Sequence, residues 1–276
     1  MLEIPESKTI SIQASNTLAN KKITDVKNAT SPHKFAFYNG DPAGYNKMLS
    51  GRQIQSAKGH GMFVDIRFDQ DVFITIGDGT NMRYYLPSEP RPEKHQLLIA
   101  FDDGSCIAFT VAMYGGIWAY KSMFDNKYHQ RSLNSISPLD ESFNESFFDK
   151  IISNVTKDLS AKALLATEQR IPGIGNGVLQ DILFNAGIHP KRKKSTLSDS
   201  DKSRLFQSMK TTLKKMTDLR GRDTEKDLFG NYGGYKTLLS KNTVELPCPN
   251  CNGRIVKEAY LGGAVYFCPV CQKIYI

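Results

Sequence analysis

The sequence predicts an α+β protein: an N-terminal helix and an antiparallel β-sandwich, then a helical domain, then a small four-cysteine module. Three observations carry that prediction. Short β-branched and aromatic runs separated by turn residues fill residues 51–118, the apolar period changes to that of helices after Pro138, and cysteines stand at Cys248, Cys251, Cys268 and Cys271. A chain of 276 residues exceeds the ~100–200 residues of one domain. We therefore divide it into residues 1–135, 136–240 and 241–276.

At the start, Pro5 stands where the first turn of a helix needs no N–H, and Ile10, Ala14 and Leu18 recur at i, i+4 and i+8. A helix is predicted over residues 5–19. Strands are predicted over 62–68, 72–76, 83–86, 96–101 and 106–111. The glycine-bearing segments 77–81 and 102–105 read as hairpin turns, because glycine accepts positive φ at little cost. Cys106 lies in a strand pattern and reads as a buried thiol rather than a nucleophile. Beyond Pro138, Phe143, Phe147, Phe148, Ile151 and Ile152 share one helical face. Further helices are predicted over 159–166 and 178–186, the latter stopped by Gly187 with Pro190 beyond it. A last helix is predicted over 198–218, its stripe of Leu205, Phe206, Met209, Leu213 and Met216 reading as core.

Charge is unevenly placed. Residues 1–149 carry 15 basic and 17 acidic side chains, and residues 150–276 carry 21 and 11, so the halves stand at −2 and +10. The second half is thus suited to a polyanion and the first is not. No apolar stretch approaches the ~20 residues that cross a bilayer, and Glu3, Glu6 and Lys8 occupy the region where a signal peptide is apolar. A soluble, cytoplasmic protein is expected, associated with the nucleoid if the source is bacterial.

The strongest motif is Cys248-Pro-Asn-Cys251, sixteen residues, then Cys268-Pro-Val-Cys271. Each Cys-x-x-Cys turn aims two thiolates at one ion, and two such turns complete a tetrahedral, closed and therefore structural zinc site. Disulfides are the alternative, and a chain without an export signal does not favour them. About thirty residues bury too little core to fold alone, so the ion supplies much of this module's folding energy. A second motif, Arg170-Ile-Pro-Gly-Ile-Gly175-Asn176, joins two helices. Its small residues let backbone N–H groups at a helix start approach a phosphate, and it reads equally as an ordinary tight turn. The basic run 191–194, with Lys191 and Arg192, reads equally as a phosphate contact and as a solvated loop.

Taken in order, Glu3-Ile-Pro-Glu6, the Ala57-Lys58 pair, Gly173-Ile-Gly-Asn176, Leu183-Phe-Asn-Ala-Gly-Ile-His-Pro190 and the four-cysteine finger resemble the formamidopyrimidine-DNA glycosylase and endonuclease VIII family. The resemblance spans nearly the whole chain. It implies a glycosylase-like β-sandwich domain, a helix-two-turns-helix DNA-binding domain and a zinc finger, with damaged duplex or abasic DNA held between them by a monomer. It also implies base excision from DNA, a hydrolase activity. By the same resemblance Glu3 matches the carboxylate that opens the sugar ring and shuttles protons, Glu6 the second acid of the motif, and Lys58 a lysine beside the damaged nucleotide. Asn176 matches an asparagine that binds phosphate.

Departures from that pattern are equally specific. The family's nucleophile is an N-terminal proline, and here Leu2 stands in its place. A leucine linked to Met1 has no nucleophilic nitrogen, so the free amine expected is that of Met1, one residue out of register. Where the family inserts wedge residues into the base stack, this chain has Asp78 and the stretch Val111-Ala-Met-Tyr-Gly-Gly116, leaving Met113 or Tyr114 as a single wedge. The finger tip reads Leu261-Gly-Gly-Ala264, without the family's arginine. Two readings follow: a glycosylase of altered chemistry in which strand scission is in question, or a catalytically silent protein that binds damaged DNA with the same fold.

Overall fold

The computed structural model describes residues 1–274. Its first element is α1 (Ile4–Leu18), which has Pro5 in its first turn. Ile10, Ala14 and Leu18 are buried in the core of the β-sandwich, whereas Ile4 packs among residues of the helical domain. One helix therefore contributes to both cores and fixes the two domains against each other.

The sandwich is built from β1 (Ile23–Asn28), β2 (Ala36–Tyr38), the short helix α2 (Tyr45–Leu49), β3 (Ile54–His60), β4 (Phe63–Phe68), β5 (Val72–Gly77), β6 (Thr80–Tyr85), β7 (Leu97–Phe101), β8 (Cys106–Val111) and β9 (Gly115–Lys121). These form a four-stranded sheet in the order β1-β7-β8-β6 and a five-stranded sheet in the order β2-β9-β5-β4-β3. Only β2 and β9 run parallel. Val64, Ile74, Ile99, Phe109 and Ile117 fill the space between the sheets, the inner-face alternation expected of a two-layer sandwich. Cys106 lies in β8 and is buried.

Of the two glycine turns, 102–105 is a hairpin joining β7 to β8, with Gly104 at positive φ. The turn at 77–81 is not, which corrects the sequence expectation. β5 pairs with β4 and β9, while β6 pairs with β8, so this turn carries the chain from one sheet to the other. A side chain on Gly79 would stand 2.0 Å from the Tyr114 carbonyl oxygen. Close approach of two layers, rather than hairpin φ, is what requires a glycine there.

Helices α3 (Lys127–Asn134), α4 (Glu145–Ser153), α5 (Ala161–Ala166), α6 (Asn176–Asn185) and α7 (Asp199–Asp218) follow. The stripe predicted for α7 is buried throughout, and its start is closed by a capping box between Ser198 and Asp201. Gly187, at positive φ, ends α6: its N–H bonds the Phe184 carbonyl at 3.0 Å and that of Ile188 bonds Leu183 at 2.9 Å, a Schellman closure. The last module is the hairpin β10 (Val256–Tyr260) and β11 (Gly263–Phe267), turned by Leu261 and Gly262, both at positive φ. Among the described residues no helix is long and apolar enough to cross a membrane.

Candidate active site and nucleic-acid interface

Glu3 precedes the first residue of α1, yet its side chain does not cap that helix. It reaches across the domain boundary to α6, where the Gly177 N–H donates to it at 2.9 Å and the Val178 N–H at 2.6 Å. Unpaired donors and the positive end of a helix dipole favour an anion at this position. Glu3 is 0 % exposed. Burial holds its carboxyl above the ordinary 4.5, against the opposing pull of Arg222.

Arg222, in the loop after α7, is the partner that sequence reasoning missed. Its Nη1 lies 3.5 Å from Glu3. Its Nε and Nη2 donate to Glu6 at 3.0 and 2.8 Å, and its backbone N–H donates to the same carboxylate at 3.1 Å. Two carboxylates and one guanidinium are thus buried together, and the amides of α6 offset the remaining negative charge. The cluster ties α1 to α6 and to the loop after α7.

Small residues make room for it. A Cβ on Gly175 would lie 2.5 Å from Glu3 Oε1, and one on Gly177 would lie 1.5 Å from Arg222 Nη1. Because Glu6 pins the guanidinium, Arg222 cannot swing clear without leaving a carboxylate unpaired. Gly177→Ala is therefore expected to destabilise the protein by about 3 kcal/mol, the upper end of ordinary overpacking, measurable as a lower urea midpoint. An unchanged midpoint would mean that Arg222 is not held in this geometry.

The start of α6, which the sequence suggested for a phosphate, thus spends two of its N–H groups on Glu3. Among the described residues those of Gly175 and Asn176 make no hydrogen bond to protein. The Asn176 side chain is committed elsewhere: its Nδ2 donates to the Ala264 carbonyl of the finger hairpin at 2.9 Å, and its buried Oδ1 has no partner. Lys162 reinforces the same junction by donating to the Tyr260 carbonyl at 2.6 Å.

Beside this cluster a cleft of about 440 Å³ is lined by Met1, Met113, Tyr114, Asn176, Arg222 and Glu225, among others. The Met1 amine pairs with Glu225 at its edge. Leu2 is buried, and its N–H donates to the Asp78 carbonyl at 2.8 Å, so the nitrogen of residue 2 is an amide donor and no nucleophile. Among the described residues Asp78 Oδ1 is buried without a hydrogen-bond partner, and burial raises its carboxyl above the ordinary 3.8, an effect the nearby Tyr114 hydroxyl opposes. Met113, 68 % exposed, is the free apolar side chain at the cleft.

Lys58 is not brought to this cleft. It lies on β3, where Gly59 packs so closely on α1 that a Cβ would stand 2.2 Å from the Ser7 carbonyl oxygen. The exposed Lys58 side chain lines a separate recess at this edge, with Ser7 and Lys8 of α1, Gly59 itself and Asp140. The basic run also turns toward protein. Lys191 pairs with Glu258. Arg192 is buried, with Nη2 donating to Asp201 at 2.6 Å and to the Thr196 carbonyl at 2.7 Å, so its charge fixes the loop to the start of α7 rather than facing a phosphate.

In the finger, Cys248 Sγ and Cys271 Sγ are 3.7 Å apart, Cys251 Sγ and Cys268 Sγ 3.5 Å, and all four lie within 4.8 Å of one another. Four sulfurs at ~2.3 Å from one tetrahedral ion would be roughly 3.8 Å apart. The set fits a structural zinc ion with no open position, and these separations exclude disulfides.

A helix shared by two cores, a cleft at the domain boundary and a four-cysteine finger docked on the start of α6 define a two-domain clamp. The chain belongs to the formamidopyrimidine-DNA glycosylase family: the model of the formamidopyrimidine-DNA glycosylase N-terminal domain matches residues 1–113, and that of its H2TH domain matches residues 135–226. It is 24% identical to the formamidopyrimidine-DNA glycosylase of Shouchella clausii over 277 residues, covering 99% of both chains. It is 25% identical to that of Pelotomaculum thermopropionicum over 286 residues, covering 99% of this chain and 100% of the relative. The fold is that of MutM (Fpg) from Thermus thermophilus, at a TM-score of 0.80 and 22% identity, covering 99% of this chain and 100% of that one. It is also that of Lactococcus lactis Fpg in complex with DNA containing an abasic site, at a TM-score of 0.83 and 23% identity, covering 98% and 99%.

Proposed function

We propose that this chain is a DNA glycosylase of base-excision repair that binds damaged duplex DNA in the cleft beside its first residues, with the Met1 amine as the reacting nitrogen. The observation that supports this reading is the meeting of three segments at one cleft: the chain start, the beginning of α6 and the Gly77–Gly79 crossover. Residue 2 offers only an amide there, so the α-amine one residue earlier is the available nucleophile. It attacks C1′ of the sugar, the glycosidic bond breaks, and the base leaves with the bonding electron pair and takes up a proton. The amine gives up one proton, the C1′–O4′ bond breaks with O4′ taking up a proton, and a protonated imine to C1′ remains.

Glu3 reaches no solvent, so its contribution is to hold the start of α6 and, through Arg222, the loop that borders the cleft. Glu6 acts in the same way as an anchor of Arg222. The N–H groups of Gly175 and Asn176 are placed to receive a backbone phosphate, and Met113 to fill the space left by an everted base. Zinc fixes the finger that holds the Asn176 side chain. We further propose a cytoplasmic location, at the nucleoid if the source is bacterial, as action on chromosomal DNA requires.

Incubation with duplexes carrying an oxidised base or an abasic site, followed by borohydride, tests the reading. The expected result is base release and a covalent adduct on the N-terminal peptide. An adduct mapped to Lys58 would move the reacting amine to the other recess. Neither release nor adduct on any lesion would leave a binding protein and overturn the proposal.

A further inference from the structure

A second group of metal-ligating side chains lies away from the finger and the cleft. His60 ends β3, Asp65 lies in β4 and His129 in α3, so three separate elements meet there. His60 Nε2 is 3.0 Å from Asp65 Oδ2, and His129 Nε2 straddles the same carboxylate, 3.0 Å from Oδ1 and 3.1 Å from Oδ2. The side chains are 9, 5 and 13 % exposed for His60, His129 and Asp65. Two imidazole nitrogens and a carboxylate oxygen bound at ~2.0–2.2 Å to one ion stand roughly 3–3.4 Å apart. The N···O distances match that spacing, and the three ligating atoms all lie within 4.8 Å of one another.

The surroundings have the organisation that orients metal ligands. The other ring nitrogen of His60, Nδ1, lies 3.0 Å from Ser132 Oγ. The second carboxylate oxygen of Asp65 accepts from Thr75 Oγ1 at 2.6 Å, and that hydroxyl is 2.9 Å from the Tyr120 hydroxyl. Such contacts hold ring and carboxylate in place behind the ligating atoms. The rings of Phe63 and Phe124 pack edgewise on His129 at 5.3 and 5.1 Å between centroids, keeping the site apolar on that side.

We propose that His60, Asp65 and His129 bind a second divalent transition-metal ion, for which zinc is the best fit, and that this ion fastens α3 to the five-stranded sheet. Imidazole and carboxylate donors in a three-residue set suit zinc, with a water completing four ligands. The consequence is mechanical. Ser132 of α3 and Pro172 of the helical domain both close on Gly61, where a Cβ would stand 2.3 and 3.1 Å from them. Holding α3 therefore holds the seam between the domains.

The test uses the full chain, equilibrated with excess zinc, desalted and analysed for metal. Two zinc ions per chain are expected in the wild type, and one in Cys251→Ser, in His129→Ala and in Asp65→Asn. One ion in the wild type, or two in both His129→Ala and Asp65→Asn, overturns the proposal. Cobalt titration of the wild type gives a reading that needs no variant to fold. One equivalent is expected to produce the thiolate charge-transfer band, and another to add weak ligand-field absorption without enlarging that band. A titration in which every bound cobalt contributes thiolate charge transfer overturns the proposal as well.

Discussion

Arg222→Ala is expected to cost about 3–5 kcal/mol of folding stability, because it leaves two buried carboxylates without their counter-charge. Glu3 and Glu6 are 0 and 4 % exposed, so both carboxylates depend on protein partners for their charge balance. The pH dependence has a definite sign. A carboxyl whose folded value is raised contributes most below its unfolded value and loses that contribution as pH rises through the folded one. Removing the arginine, which opposes the effect of burial on Glu3, widens that loss. The deficit of the variant relative to wild type should therefore be greatest at neutral pH and shrink as pH falls toward 4.5, the ordinary carboxylate value. Urea denaturation at several pH values measures both. A deficit independent of pH would show that lost packing of the long side chain, rather than unpaired charge, is what Arg222 provides. Base release should fall with stability, since the same residue borders the cleft.

Loss of the finger's zinc should have the other large effect. Structural zinc contributes apparent binding energies of about 10–16 kcal/mol to small fingers, and that energy is their folding energy. Cys251→Ser should unfold the module beyond residue 240 while leaving both larger cores intact, because the finger's few apolar residues form a cluster of their own with Phe184 and Leu239. Limited proteolysis should then cut in the finger alone. Freed from the Ala264 carbonyl, Asn176 would lose its fixed orientation, and affinity for duplex DNA should drop roughly tenfold or more, ~1.4 kcal/mol, read by fluorescence anisotropy. Full resistance to protease and unchanged affinity in the zinc-free variant would show that the finger folds without its ion.

Particular residues explain how far the sequence was legible. The four cysteines, the stripe of α7 and the apolar spacing of α1 report on geometry directly, since a period or a fixed spacing has one structural meaning. Gly77-Asp-Gly did not, because the same residues serve a chain that doubles back and one that changes layer. Helix α3 carries only His129 and Ser132 as buried residues, so no apolar stripe announced it. Arg222 was invisible for a related reason: an arginine in a polar loop looks solvated until the acids of a distant helix are placed beside it. Arg192 was masked by its three basic neighbours, of which it alone is buried. Lys58 followed from an order of motifs along the chain, which does not say which recess its side chain lines. Arg222 and Arg192 share one cause, buried charge, since pairing depends on tertiary neighbours rather than on local pattern.

The hydrogen bond from the Leu2 N–H to the Asp78 carbonyl has a practical consequence at the bench. It registers the chain start against the crossover between the two sheets and aims everything ahead of residue 2 into the cleft. On the proposed chemistry, a purification handle joined before Met1 would enter the cleft proposed for DNA and would convert the α-amine into a peptide bond. Assays of this protein therefore call for a scarless N-terminus, and a preparation that keeps its leader would be a poisoned reagent rather than a control.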